Sequence, residues 1–373
     1  MNGRVDGGLG RAAGVVVLAL TVAACGGSGS DRKGSDQQGG ASAQSPEQAA
    51  PARPVPVEKK QREITWSDRE DQSHALRAAP SGLARGSAAD FRNVRLDDGL
   101  KGKVPYYLTV SYTNESEKRL ERPSPERDFA VAAADGQAGE VVSVFASALS
   151  KNSGLPKACS RSAPESLEPG GRATVCRIVM MPENRPPAAV SYTGRDARGN
   201  GTDPVIWKAG GGGKTGLPSG VLPLRKPAES AVEDSEGRTV KVRATPKSIR
   251  KGRIADLGRF ELDAGDQKKV PYYVTVEYRN DGSRKLLPQM NQKTELRAVS
   301  GQPARRLTLI DFGGDGVSQC PEAEPDGLVK PKSSVTECSV FMLPKTDSPA
   351  ALVFTGEGDS AKTVTWQAPE RGK

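Results

Sequence analysis

Lys103-Val104-Pro105-Tyr106-Tyr107-Leu108-Thr109-Val110-Ser111-Tyr112-Thr113-Asn114 returns 166 positions later as Lys269-Val270-Pro271-Tyr272-Tyr273-Val274-Thr275-Val276-Glu277-Tyr278-Arg279-Asn280. Both stretches alternate with period two, the signature of a half-buried strand. Val104, Tyr106, Leu108, Val110 and Tyr112 share one face, expected to be inward, and Tyr107, Thr109, Ser111 and Thr113 share the other. The second stretch keeps the division, with Val270, Tyr272, Val274, Val276 and Tyr278 inward and Thr275, Glu277 and Arg279 outward. Tyr107 and Tyr273 fall on the outward face, where a contact surface and simple filling by β-formers explain them equally well.

Working outward, the same offset aligns Pro80, Gly86, Ala89, Asp90, Leu96 and Asp97 with Pro246, Gly252, Ala255, Asp256, Leu262 and Asp263. Downstream, at an offset of 161 to 162, Cys159 and Cys176 match Cys320 and Cys338, and Trp207 and Trp366 close the two copies. Further strands are expected at Ala173 to Met181 and Val335 to Leu343, where Cys176, Ile178 and Met180 share a face, as do Cys338, Val340 and Met342. The remaining strand candidates are Phe129 to Ala133, Val141 to Phe145, Ala188 to Thr193, Val240 to Ala244, Leu307 to Ile310 and Ala351 to Phe354. Composition agrees: 42 Gly and 28 Pro among 373 residues, with only 35% apolar residues, suit short strands and many turns. The expected fold is all-β, two tandem immunoglobulin-like β-sandwiches at 61–209 and 217–368 joined by a Gly-rich linker at 210–216. At about 150 residues, each copy is long enough for a core of its own.

The N-terminus carries Arg4 and Arg11, then a small and apolar run from Ala12 to Ala24 that ends at Cys25. This is the layout of a secretory signal, and it is too short for the roughly 20 residues of a spanning helix. Val22-Ala23-Ala24-Cys25 followed by Gly26-Gly27-Ser28-Gly29-Ser30 resembles the bacterial lipobox. The resemblance implies a signal peptide at 1–24, diacylglycerol on the Cys25 sulfur and a lipid-anchored protein on the extracytoplasmic face of the membrane. From 25 to 60 the chain is rich in Gly, Ser, Gln, Ala and Pro and is expected to be a disordered tether. With Cys25 set aside, Cys159, Cys176, Cys320 and Cys338 form an even set that an exported protein can pair. The repeat places one pair in each copy. Metal binding by these four is disfavoured, since there is no C-x-x-C spacing and only one histidine.

Leu167-Glu168-Pro169-Gly170-Gly171, the strand to Met181-Pro182, and Ala188-Ala189-Val190-Ser191-Tyr192 resemble the telokin-like, immunoglobulin-fold domains of unknown function found on Gram-positive lipoproteins. The Ala- and Arg-rich composition likewise resembles that of high-GC actinobacterial proteins. The family is described by its fold, so the resemblance implies no catalytic residues.

Motifs of specific chemistry are weak. Gly210-Gly211-Gly212-Gly213-Lys214-Thr215 lacks the first glycine of a phosphate-binding loop and any strand-to-helix context. Asp311-Phe312-Gly313 stands without the other kinase motifs, and Asp311 and Asp315 lack the alternating acids of an EF-hand. His74, the one histidine, has no nucleophile motif nearby, and its counterpart in the second copy is Val240. The expectation is therefore a non-enzymatic protein without cofactor or metal, acting as a binding or interaction module, with a structural spacer as the alternative.

The formal net charge of +9 sits mostly in the second copy. Lys241, Arg243, Lys247, Arg250, Lys251 and Arg253 lie there without an acid among them, on a strand and the loop expected to follow it. They form a candidate patch for an anionic envelope polymer or lipid, while a solvated strand face and loop explain the same residues. Another envelope protein is the other expected partner. Nucleic acid is not expected, because the excess is mild and aromatics are few.

Overall fold

The computed structural model describes residues 52–91, 96–142, 159, 163–195, 201–210, 217–308, 316–321, 323 and 327–369. The expected signal at 1–24, Cys25 and the Gly-rich run 211–216 lie outside the described residues, as does Asp311-Phe312-Gly313. The fold is all-β, built as two β-sandwiches.

The first sandwich has the strands β1 (Arg62–Ser67), β2 (Ser73–Arg85), β3 (Val104–Asn114), β4 (Phe129–Ala133), β5 (Glu140–Val142), β6 (Arg172–Met181), β7 (Pro187–Tyr192) and β8 (Val205–Lys208). One sheet runs β2-β3-β6-β5 with β1 paired to β2, and the facing sheet runs β8-β7-β4. The second sandwich repeats the plan with β9 (Ala228–Glu233), β10 (Thr239–Lys251), β11 (Val270–Asn280), β12 (Thr294–Ala298), β13 (Arg305–Leu307), β14 (Ser334–Leu343), β15 (Pro349–Thr355) and β16 (Thr363–Gln367). Its sheets run β9-β10-β11-β14-β13 and β16-β15-β12. Register is repeated too: Thr109 lies opposite Cys176 and Thr275 opposite Cys338.

The alternating faces place the cores. Tyr106, Leu108, Val110 and Tyr112 pack with Phe129, Val190 and Trp207, while Tyr272, Val274, Val276 and Tyr278 pack with Leu352, Phe354 and Trp366. Burial of each large apolar side chain stabilises by about 1.5–3 kcal/mol. Each tryptophan also satisfies its indole N–H, Trp207 donating to the Lys60 carbonyl and Trp366 to the Lys226 carbonyl, both at 2.7 Å.

Three differences from the sequence reading have simple causes. β10 continues well past Ala244, as its counterpart β2 does past Pro80, because the register shifts at Pro246 and at Pro80, where a missing N–H mimics a strand end. Lys247, Arg250 and Lys251 therefore lie on a strand, not in a loop. The expected tether is shorter at its C-terminal end: Arg53–Pro54 pairs with Arg85 and Ala84, and Val55 and Val57 pack against the first core. Two valines between prolines bury enough apolar surface to order this piece.

Third, the two sandwiches pack against each other through the outer faces of their smaller sheets. Ala132, Ala189 and Ser191 point away from the first core and Ala351 and Val353 away from the second, yet all are buried. Ser191 donates to the Ser300 carbonyl at 2.7 Å, and Thr346 donates to the Pro204 carbonyl at 3.0 Å. Two corresponding turns meet there: a Cβ on Gly136 would lie 2.5 Å from the Ala298 carbonyl oxygen, and one on Gly301 3.0 Å from the Ala132 Cβ. Both glycines have positive φ, 69° and 86°, so each turn excludes a side chain on two grounds.

Candidate functional site

On the outer face of the larger sheets, Tyr107 and Tyr273 are buried, which corrects their expected exposure. Tyr107 packs with Phe91, Ile178 and Met180 beside Cys159 and Cys176, under the segment that joins β2 to β3. Its hydroxyl donates to Asp90 Oδ2 at 2.7 Å, and the Ser87 amide donates to the same oxygen. Tyr273, Asp256 and the Arg253 amide repeat the arrangement. Gly86 and Gly252 explain their place in the repeat, since a Cβ at either would fall 2.5 Å or 2.3 Å from the tyrosine ring. Burial, with Asp256 alongside, pushes the Tyr273 phenol up to about 12. These tyrosines are structural. Gly86→Ala should displace the ring and lower stability by about 1–3 kcal/mol, the usual cost of overpacking, as read by the midpoint of chemical unfolding.

The disulfides join Cys159 to Cys176 and Cys320 to Cys338, with Cα–Cα distances of 4.7 and 5.3 Å. Cys176 and Cys338 sit on the outer-face clusters, and each bridge packs beside its tyrosine. With sequence separations of 17 and 18, each bridge is worth about 3 kcal/mol by the chain-entropy model. Reduction should lower guanidinium unfolding midpoints accordingly, and non-reducing peptide mapping should recover only the two local pairs.

The basic segment of the second copy is heavily paired. Arg243 bridges Glu229 and Asp281, Lys247 reaches Glu277 at 3.1 Å, Arg253 reaches Asp256, and Arg250 donates to the Gln319 carbonyl. The acids come from neighbouring strands and turns, so a count along the segment misses them. Lys241 points outward and shares a shallow groove with Lys332 and Lys362.

A larger concavity, of about 630 Å³, opens at the β1–β2 end of the first sandwich. Asp68 builds its wall: Oδ1 accepts from the Glu70 and Gln72 amides, and Oδ2 lies 2.8 Å from His74 Nε2. His74 is buried beside Trp66, the ring centroids 5.6 Å apart. Arg69, Lys118, Arg119, Arg122 and Arg127 line the basin and are exposed. The second copy keeps two of these five cations, Arg284 and Lys285 matching Lys118 and Arg119, while Ser235 and Gln292 stand for Arg69 and Arg127 and Arg122 has no counterpart.

Asn114, at the end of β3, is buried, and its Nδ2 donates to the Lys118 and Leu167 carbonyls. Its amide is thus committed to the fold. Among the described residues there is no group of three side chains suited to a metal, and no helix is long and apolar enough to cross a membrane. Comparison with protein-family models, with curated proteins and with solved structures finds no match.

Proposed function

We propose that this chain is a bacterial surface lipoprotein, anchored through Cys25 to the extracytoplasmic face of the membrane, whose paired immunoglobulin-like sandwiches form a non-enzymatic binding module for an anionic envelope component. The lipobox-like Val22-Ala23-Ala24-Cys25 supports the anchor. The observation that carries the binding reading is the open basin of the first sandwich with its rim of exposed guanidinium groups. The telokin-like resemblance supports the immunoglobulin-like assignment of the sandwiches. A spacer without a ligand is the second reading, supported by the ion pairing of Arg243, Lys247 and Arg253 in the basic segment of the second copy.

Cells labelled with a clickable fatty acid should tag the chain, and Cys25→Ser should abolish the label and leave the precursor uncleaved. Equal labelling of the variant overturns the anchor. The chain from Gly26 onward, which retains every described residue, should cosediment with isolated envelopes at low salt. Failure to do so favours the spacer.

A further inference from the structure

The five cations of the basin come from three separate pieces of chain. Arg69 is on the β1–β2 turn, Lys118, Arg119 and Arg122 are on the connection after β3, and Arg127 is on the short 3-10 turn Pro125–Asp128. The carboxylates among the lining residues are Asp68, Glu70 and Glu121. Asp68 is occupied by His74 and two amides, and Glu121 lies 2.9 Å from Arg119, which also reaches Glu168. Among the described residues, Arg69, Lys118 and Arg122 have no ion pair of their own, and Arg127 has only the more distant influence of Glu126 and Asp128, so cations outnumber free acids in the lining. On β10 of the second copy, two of the five cations, Arg243 and Lys247, are neutralised by carboxylates.

The backbone supplies an independent observation. Asp71 and Arg122, on either side of the basin, hold φ of 59° and 44°. The matching turn of the second copy is built the same way, with Asp234 Oδ1 accepting from the Glu236 and Arg238 amides. There the position of Asp71 is held by Gly237, at φ 72° without strain, whereas Arg122 falls where the first copy is one residue longer, since the following turns pair Pro123 with Pro288. Charged residues in the left-handed region occur in both copies, Arg225 and Lys332 in the second, the latter where the first has Gly170, and what distinguishes the basin is the added Arg122 and the charge of its two turns. Three arginines spread around one concavity suit an extended chain of tetrahedral anions better than a single one, because each planar fork can take one phosphate in bidentate fashion.

We propose that the basin between the Asp68–His74 hairpin and the Lys118–Arg127 segment binds a chain of phosphate groups. This deepens the binding-module reading by placing the site on the first sandwich and naming the ligand chemistry.

The test is fluorescence anisotropy of labelled linear polyphosphate with the chain from Gly26 onward, with poly-glutamate and phosphatidylglycerol vesicles as further arms. Wild type should bind polyphosphate, more weakly at 200 mM than at 50 mM salt. Arg69→Glu/Arg122→Glu/Arg127→Glu should weaken binding at least tenfold with an unchanged melting temperature. Lys241→Glu/Lys251→Glu, on the second sandwich, should stay within twofold of wild type. If the triple variant does not fold, Arg122→Ala together with protection of Lys118 from acetylation by bound polyphosphate serves instead. No binding by wild type, equal binding by the triple variant, or an unprotected Lys118 overturns the proposal. Equal affinity for poly-glutamate overturns the phosphate class, and vesicle binding without polyphosphate binding assigns the charge to a flat lipid surface. Loss of polyphosphate binding with envelope cosedimentation intact refutes this site alone, whereas loss of both refutes the module.

Discussion

Gly136→Val/Gly301→Val should separate the two sandwiches without unfolding either core. Both positions need positive φ, which a β-branched residue adopts only at a cost of roughly 1–3 kcal/mol each. The new side chains would also have to enter space already filled by the Ala298 carbonyl and by Ala132 and Ala138. Neither turn can yield by moving a flexible side-chain tip, because the obstacles are backbone and Cβ atoms. The joint itself is made of small side chains, Ala132, Ala189 and Ser191 against Ala351 and Val353, so displacement by a few ångströms removes most of its contact. Small-angle scattering should show a larger radius of gyration, and the melt should divide into two transitions. A single transition with unchanged scattering would mean that the joint does not depend on these turns.

Trp207→Ala should cost about 3–5 kcal/mol, the usual range for a large aromatic removed from a core. Trp207 is fully buried, stacks on Phe129 at 5.5 Å between centroids, and carries the Arg62 guanidinium over its ring at 5.7 Å. Its indole N–H is the partner of the Lys60 carbonyl, so the ordered piece before β1 loses its fastening as well. Trp207→Phe separates the two effects: it retains much of the ring but leaves that carbonyl unpaired, for a loss of about 1–3 kcal/mol. Trp366→Ala should match Trp207→Ala in the second sandwich, where the indole holds the Lys226 carbonyl. Calorimetry on the three variants checks the ordering, and an alanine variant as stable as the phenylalanine one would contradict it.

Period-two alternation over Val104–Asn114 and Val270–Asn280 was enough to establish two β-domains and the inward face of each, because burial of one sheet face repeats in sequence as every second residue. The spacing of the cysteines likewise indicated local pairing. What the linear chain could not display is the company that side chains keep across strands. Tyr107 has the position of an exposed residue, yet Phe91 from the β2–β3 segment packs over it beside the Cys159–Cys176 bridge. Arg177, at an inward position on β6, and Arg306, on β13, differ in strand, yet they donate to the corresponding carbonyls of Glu126 and Asn291. Burial lowers the pKa of both guanidinium groups, while hydrogen bonds to carbonyls keep them satisfied. The basic run from Lys241 to Arg253 contains no acid, and Glu229, Glu277 and Asp281 reach it only after β9 and β11 pair with β10. The basin of the first sandwich gathers residues from 66 to 127 that share no motif. Alternation and cysteine number are local or countable, and the sequence by itself determined them. Which charges stand alone, which outer faces are covered and where a concavity opens depend on distances between strands remote in sequence, and only the tertiary structure decided those.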